Sequence, residues 1–113
     1  MPPRKNPLNL NPLQLKTLTL LQELARLVGA PAPNLEGAFL INQFPHAHGN
    51  HFHLGDAVVA SADATGLGNP AVWVALERKG LIKSMFPHAA IVTTEGMDYD
   101  TGLQDRILHR SDH

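Results

Sequence analysis

The sequence predicts one α+β domain, on three observations. A leucine-rich run with helical spacing fills residues 13–28, and short apolar stretches bounded by Gly, Pro and Asn follow it. The chain has 113 residues, 43% of them hydrophobic, enough for one core and too few for two ordinary ones. Net charge is −1 with histidines neutral, so no broad positive field draws the chain onto nucleic acid or anionic lipid. Cysteine is absent, which excludes disulfides and thiolate metal sites.

Residues 1–10 are basic and proline-rich and read as a flexible arm preceding a single domain over 11–113. No apolar run behind the arm could serve as a signal-peptide core, and no stretch approaches a membrane span; a cytoplasmic protein without membrane contact is expected. Asn11-Pro12-Leu13-Gln14 is a helix start, with Asn11 as N-cap, Pro12 at the first helical position and Gln14 placed to reach back. The helix is expected to run to about Val28. Leu13, Leu20, Leu24 and Leu27 make a wide apolar stripe, which Gly29, Pro31 and Pro33 then stop.

Four of the seven histidines lie within eight residues: His46, His48, His51 and His53. Gly49-Asn50 between them is a two-residue hairpin signal, because both residue types tolerate positive φ. A hairpin of the preceding strand, Gly37–Phe44, and its continuation through this turn would set His48 opposite His51 and His46 opposite His53, all four rings on one face. Cross-strand neighbours sit about 5 Å apart and same-strand neighbours about 6.7 Å, so the quartet is a candidate Zn²⁺ or Ni²⁺ site. The plainer reading is a solvated histidine-rich turn. Asp56 is either an acceptor behind a ligand imidazole or the cap of a following helix.

From Asp56 the chain reads DAVVASADATGLGNPAVWVALERKGLI and then KSMFPHAAIVTTEG. Ala62 precedes Gly66 by four residues and Val72 follows it by six, the spacing of a helix-turn-helix. In that pattern the small residue lets two helices touch and the glycine turns between them in the left-handed conformation. Asn69 and Pro70 start the second helix, over about 70–79, Arg78 and Lys79 suit its C-terminal end, and Gly80 closes it. Two alternating strands, Leu81–Phe86 and Ala89–Thr94, flank Pro87-His88. Together these resemble a winged helix-turn-helix domain of the bacterial repressor type, with a histidine-rich hairpin inserted before the motif and a short C-terminal segment after it. Read as strand, Ala57–Ala60 would instead extend the histidine hairpin and remove the motif's first helix.

The resemblance implies a small regulatory domain that contacts double-stranded DNA through Asn69, Trp73, Arg78, Lys79 and Lys83, with the histidine hairpin as a metal-responsive element. It also implies a homodimer, for which the leucine helix and Leu103, Ile107 and Leu108 are the candidate surface. Trp73 has a second reading, packing between helix and sheet. Gly68, Pro70 and Val74 offer no side-chain donor to a base edge, so a winged-helix protein-interaction module without DNA binding is the alternative. A third reading takes His51-Phe52-His53 with Asp56 as similar to the metal site of a cupin-like enzyme; the scarcity of strands opposes it. No small-molecule substrate is identified. A Ser-His-Asp pattern, a phosphate loop and paired carboxylates are all absent from the sequence.

Overall fold

The computed structural model describes residues 6–47 and 49–110. Helix α1, Pro12–Val28, starts and stops where its capping signals lie. The Asn11 side chain accepts from the Gln14 N–H at 2.8 Å, and the Gln14 side chain accepts from the Asn11 N–H at 3.0 Å. From Thr17 to Ala25 every residue of α1 is buried, polar ones included. A helix enclosed on all faces must satisfy its polar side chains internally. Thr17 and Thr19 donate to the carbonyls of Leu13 and Leu15, and Thr19 also bonds Thr101 at 2.6 Å. Gln22 donates to the Gly96 and Tyr99 carbonyls, and Glu23 binds Arg110 at 2.6 Å.

The wide leucine stripe therefore serves the chain's own core. Ile107 and Leu108, expected at a dimer surface, are buried in the same core, so neither they nor the middle of α1 face a second copy. Residues 6–10 of the expected arm are also tied in: Asn6 bonds both the N–H and the carbonyl of Leu10, which is buried, and accepts from the Tyr99 hydroxyl.

Two antiparallel sheets pack around α1. The first has the order β1-β2-β6-β5, from β1 (Ala30–Pro31), β2 (Phe39–Ile41), β5 (Ile82–Met85) and β6 (Ala89–Val92). β5 and β6 form the expected hairpin, with Met85 opposite Ala89 across Phe86-Pro87-His88. β2 pairs with β6, Ile41 opposite Ala90, which puts Ile41, Ala90 and Val92 fully into the core. Short helices α3 (Thr94–Asp98) and α4 (Gln104–Ile107) follow.

The second sheet, β3-β4-β7, corrects the histidine hairpin. β3 (His51–Leu54) pairs with β4 (Ala57–Ala60), His51 opposite Ala60 and Leu54 opposite Ala57, and β7 (His109–Arg110) closes the other edge. The hairpin turn is Gly55-Asp56, with Gly55 at φ +59°; Gly49 does take φ +67°, but residues 42–47 ahead of it form no strand. Two physical reasons favour this register. Pro45 has no N–H for a ladder through residues 44–47, whereas Ala57-Val58-Val59-Ala60 is an apolar strand whose Ala57 and Val59 become fully buried.

That strand takes the place of the first helix of the helix-turn-helix pattern. Two 3-10 turns, Ser61–Asp63 and Thr65–Gly68, lead instead to helix α2, Pro70–Arg78. Gly66 is not in the left-handed region. Its role is close approach: a Cβ there would lie 1.8 Å from Thr17 Oγ1 on α1.

Candidate functional site

Helix α2 forms as its sequence dictates. The Asn69 carboxamide accepts from the Ala71 N–H at 3.0 Å, Pro70 occupies the first turn, and Gly80, at φ +78°, lies just past its end. Val72, Trp73 and Leu76 face inward. Trp73 is 1% exposed, its ring 5.7 Å from Phe44 and 5.0 Å, edge on, from Phe86, and its indole N–H donates to the Gly66 carbonyl. A residue so enclosed cannot meet a base edge, so the packing reading of Trp73 holds and the DNA-contact reading does not. Asn69 is engaged as a cap. Outward, α2 presents Pro70, Ala71, Val74, Glu77 and Arg78, with Val74 46% exposed. Arg78, Lys79 and Lys83 are exposed, as are Glu77 and Glu95. Lys16, Arg26 and Arg110 are held in ion pairs with Asp63 and Glu23.

Two histidines of the expected quartet lie together on β3. His51 and His53 alternate along β3 and converge: their Nε2 atoms are 3.1 Å apart and their rings meet edge to face at 4.8 Å. His51 Nδ1 lies 3.4 Å from Asn50 Oδ1. His46 is exposed in the segment before the strand, with no cross-strand partner in β3, and His48 lies outside the described residues. Among the described residues no group of three or more His, Asp or Glu side chains converges to hold a metal. Asp56 neither caps a helix nor backs a histidine; it accepts from Arg110 Nε at 3.2 Å. The strand that carries His51 and His53 belongs to an open three-stranded sheet, which departs from the cupin-like barrel.

Beside the pair lies a groove of about 360 Å³, where the end of α1 meets residues 43–45 and the β3–β4 turn. Leu24, Leu27, Val28, Phe44 and Leu54 line it, with Gln43 and His53 as polar members. Leu27 is 44% exposed, at the margin of the apolar stripe. Sequence reasoning did not find this groove, because its walls come from segments brought together only by the sheet register. Nor did it find Glu23, whose helical position carried no sign that Arg110 would return to it through β7.

No helix among the described residues is long and apolar enough to cross a membrane. No protein-family model, curated protein or solved structure matches this chain.

Proposed function

We propose that the chain is a small winged-helix-type regulatory module, cytoplasmic, that works through protein contact and does not read DNA sequence. The succession of α1, β2, α2 and the β5–β6 hairpin, interrupted between β2 and α2 by the β3–β4 hairpin and two 3-10 turns, and the closing of β2 onto β6 support the winged-helix reading. The observation that carries the protein-contact reading is the outward face of α2. Its forward half offers Pro70, Ala71 and a half-exposed Val74, while Trp73 is buried and Asn69 is spent on its own helix. Direct readout of a base edge needs donors or acceptors that reach it, and the exposed side chains of this forward half, Pro70, Ala71 and Val74, have none. An exposed apolar face instead suits contact with another protein.

DNA contact remains the second reading, favoured by Arg78, Lys79 and Lys83 at the end of α2 and on β5. Three cations near two carboxylates supply few phosphate contacts. Binding to random duplex is therefore expected at about 10 μM or weaker at physiological salt, near the middle of the usual nonspecific range. Fluorescence anisotropy at about 50 and 200 mM salt, with selection from a randomised duplex library, decides between the readings. Submicromolar binding at the higher salt, or an enriched palindrome, overturns the protein-contact reading. Sedimentation velocity of wild type beside Val74→Glu identifies the partner class: a dimer that the substitution dissolves makes a second copy the partner, and a monomer at every concentration makes it a different protein.

A further inference from the structure

We infer that the outer face of the β1-β2-β6-β5 sheet is a self-association surface, on which a second copy of this chain packs sheet against sheet. The inference is independent of what α2 contacts, and the surface is not the leucine helix expected from the sequence. Residues paired across an antiparallel ladder share a face. Ile41 opposite Ala90, and Val92 opposite both Phe39 and Ile82, make the inner face that packs into the core. The other face carries an unbroken row across the four strands, Ala30, Leu40, Ile91 and Lys83, with Met85 opposite Ala89 beside it. Only Lys83 among these is polar. An antiparallel sheet with one solvated face alternates apolar and polar residues along its strands. β2, Phe39-Leu40-Ile41, and β6, Ala89-Ala90-Ile91-Val92, do not alternate and have the composition of strands covered on both sides. Yet Leu40 and Ile91 stand outside the core cluster, half-buried, and Met85 is 45% exposed.

Charge placement selects a second copy as the occupant. Lys83 stands on the β5 edge, and Glu36 lies in the loop that joins β1 to β2 on the other side of the sheet. Both are exposed, and neither side chain is in an ion pair among the described residues. A face with its cation toward one edge and its anion toward the other complements itself when turned over. A twofold rotation about an axis along the strands lays β5 of one protomer across β1 of its partner, so each Lys83 approaches the side that carries Glu36 while the two lysines stay apart. Leu40 and Ile91, on the two middle strands, then meet their counterparts at the centre, in the aligned packing that two twisted sheets adopt. The area sets the strength. Four strands about 4.8 Å apart, each up to about four residues of about 3.3 Å, offer roughly 250 Å² in plan. Stable complexes use about 800 Å² per partner, so this dimer is a weak one that forms only at micromolar concentrations or above.

The test is sedimentation velocity of the untagged full chain over about 1–500 μM, in wild type, Ile91→Glu and Val74→Glu. A concentration-dependent equilibrium of monomer and dimer is expected in wild type. Val74→Glu should change its constant less than about twofold, and Ile91→Glu should weaken it about tenfold or more, because it sets an unpaired carboxylate at the centre of the interface. A wild-type monomer throughout overturns the inference and leaves the reading of α2 standing. A dimer that Ile91→Glu leaves intact also overturns it, as does one that Val74→Glu dissolves, which would put the second copy on α2. Should Ile91→Glu unfold early in urea, the charges decide: Lys83→Glu is expected to weaken the dimer about threefold or more, and Lys83→Glu with Glu36→Lys to restore it. No loss, or a loss that the second substitution fails to restore, overturns the inference.

Discussion

Gly66 owes its place to the hydrogen it carries in place of a side chain. Its backbone lies where a Cβ would meet Thr17 Oγ1 at 1.8 Å, and that hydroxyl is held by the Leu13 carbonyl, so it cannot swing aside freely. The Gly66 carbonyl meanwhile accepts the buried Trp73 N–H. Overpacking a close contact of this kind costs about 1–3 kcal/mol. Gly66→Ala is therefore expected to lower the urea midpoint, and adding Thr17→Ala should restore part of the loss. If the glycine were needed for positive φ, the second substitution would restore nothing. The glycine itself was legible in the sequence, since its spacing to Val72 marked it as structural. Its reason was not, because Thr17 is far off in the chain and the contact exists only once α1 lies across the 3-10 turns.

α2 shows how one element can keep its boundaries while its surface loses the role those boundaries suggest. Asn69, Pro70 and Gly80 act within a few residues of themselves, and the helix runs as they dictate. Asn69→Ala is expected to cost about 1 kcal/mol through the lost cap, read as an earlier urea midpoint, with no change in the weak affinity for random duplex. A loss of duplex affinity without loss of stability would return Asn69 to the DNA-contacting set. Trp73 depends on more distant partners: Phe44 precedes β3 and Phe86 follows β5, and together they close over the indole. Helical periodicity alone left packing and recognition open for that side chain. The histidine strand is a second case at this scale. Gly49-Asn50 and Gly55-Asp56 both have turn chemistry, and the choice between them rested on which flanking segment could complete a ladder and bury an apolar face.

Across the whole molecule, the last elements hold the first. β7 pairs with β4, Arg110 binds Glu23 of α1 and also Asp56, and Ile107 and Leu108 complete the core. Burying an aliphatic side chain of that size contributes about 1.5–3 kcal/mol. Deleting residues 107–113 is accordingly expected to lower stability by about 3–6 kcal/mol, or to abolish cooperative unfolding, as followed by circular dichroism in urea. Because the contact is within one chain, the loss should not depend on protein concentration, as loss of a dimer interface would. A truncated chain with the wild-type midpoint would contradict this packing.

The sequence by itself determined what nearby residues can enforce on one another. The α1 capping box, the bounds of α2 and the β5–β6 hairpin all follow from cap, turn and periodicity signals that act over a few residues. Tertiary structure decided the rest. It paired β2 with β6 and β3 with β4, buried α1 on every face, drew Trp73 inward, and brought two histidines of the expected four to 3.1 Å while forming the groove beside them. The physical reason is that short apolar segments such as Ala57–Ala60 carry no preference strong enough to choose helix or strand alone. Their state is set by the partner that buries them, and that partner is distant in the chain.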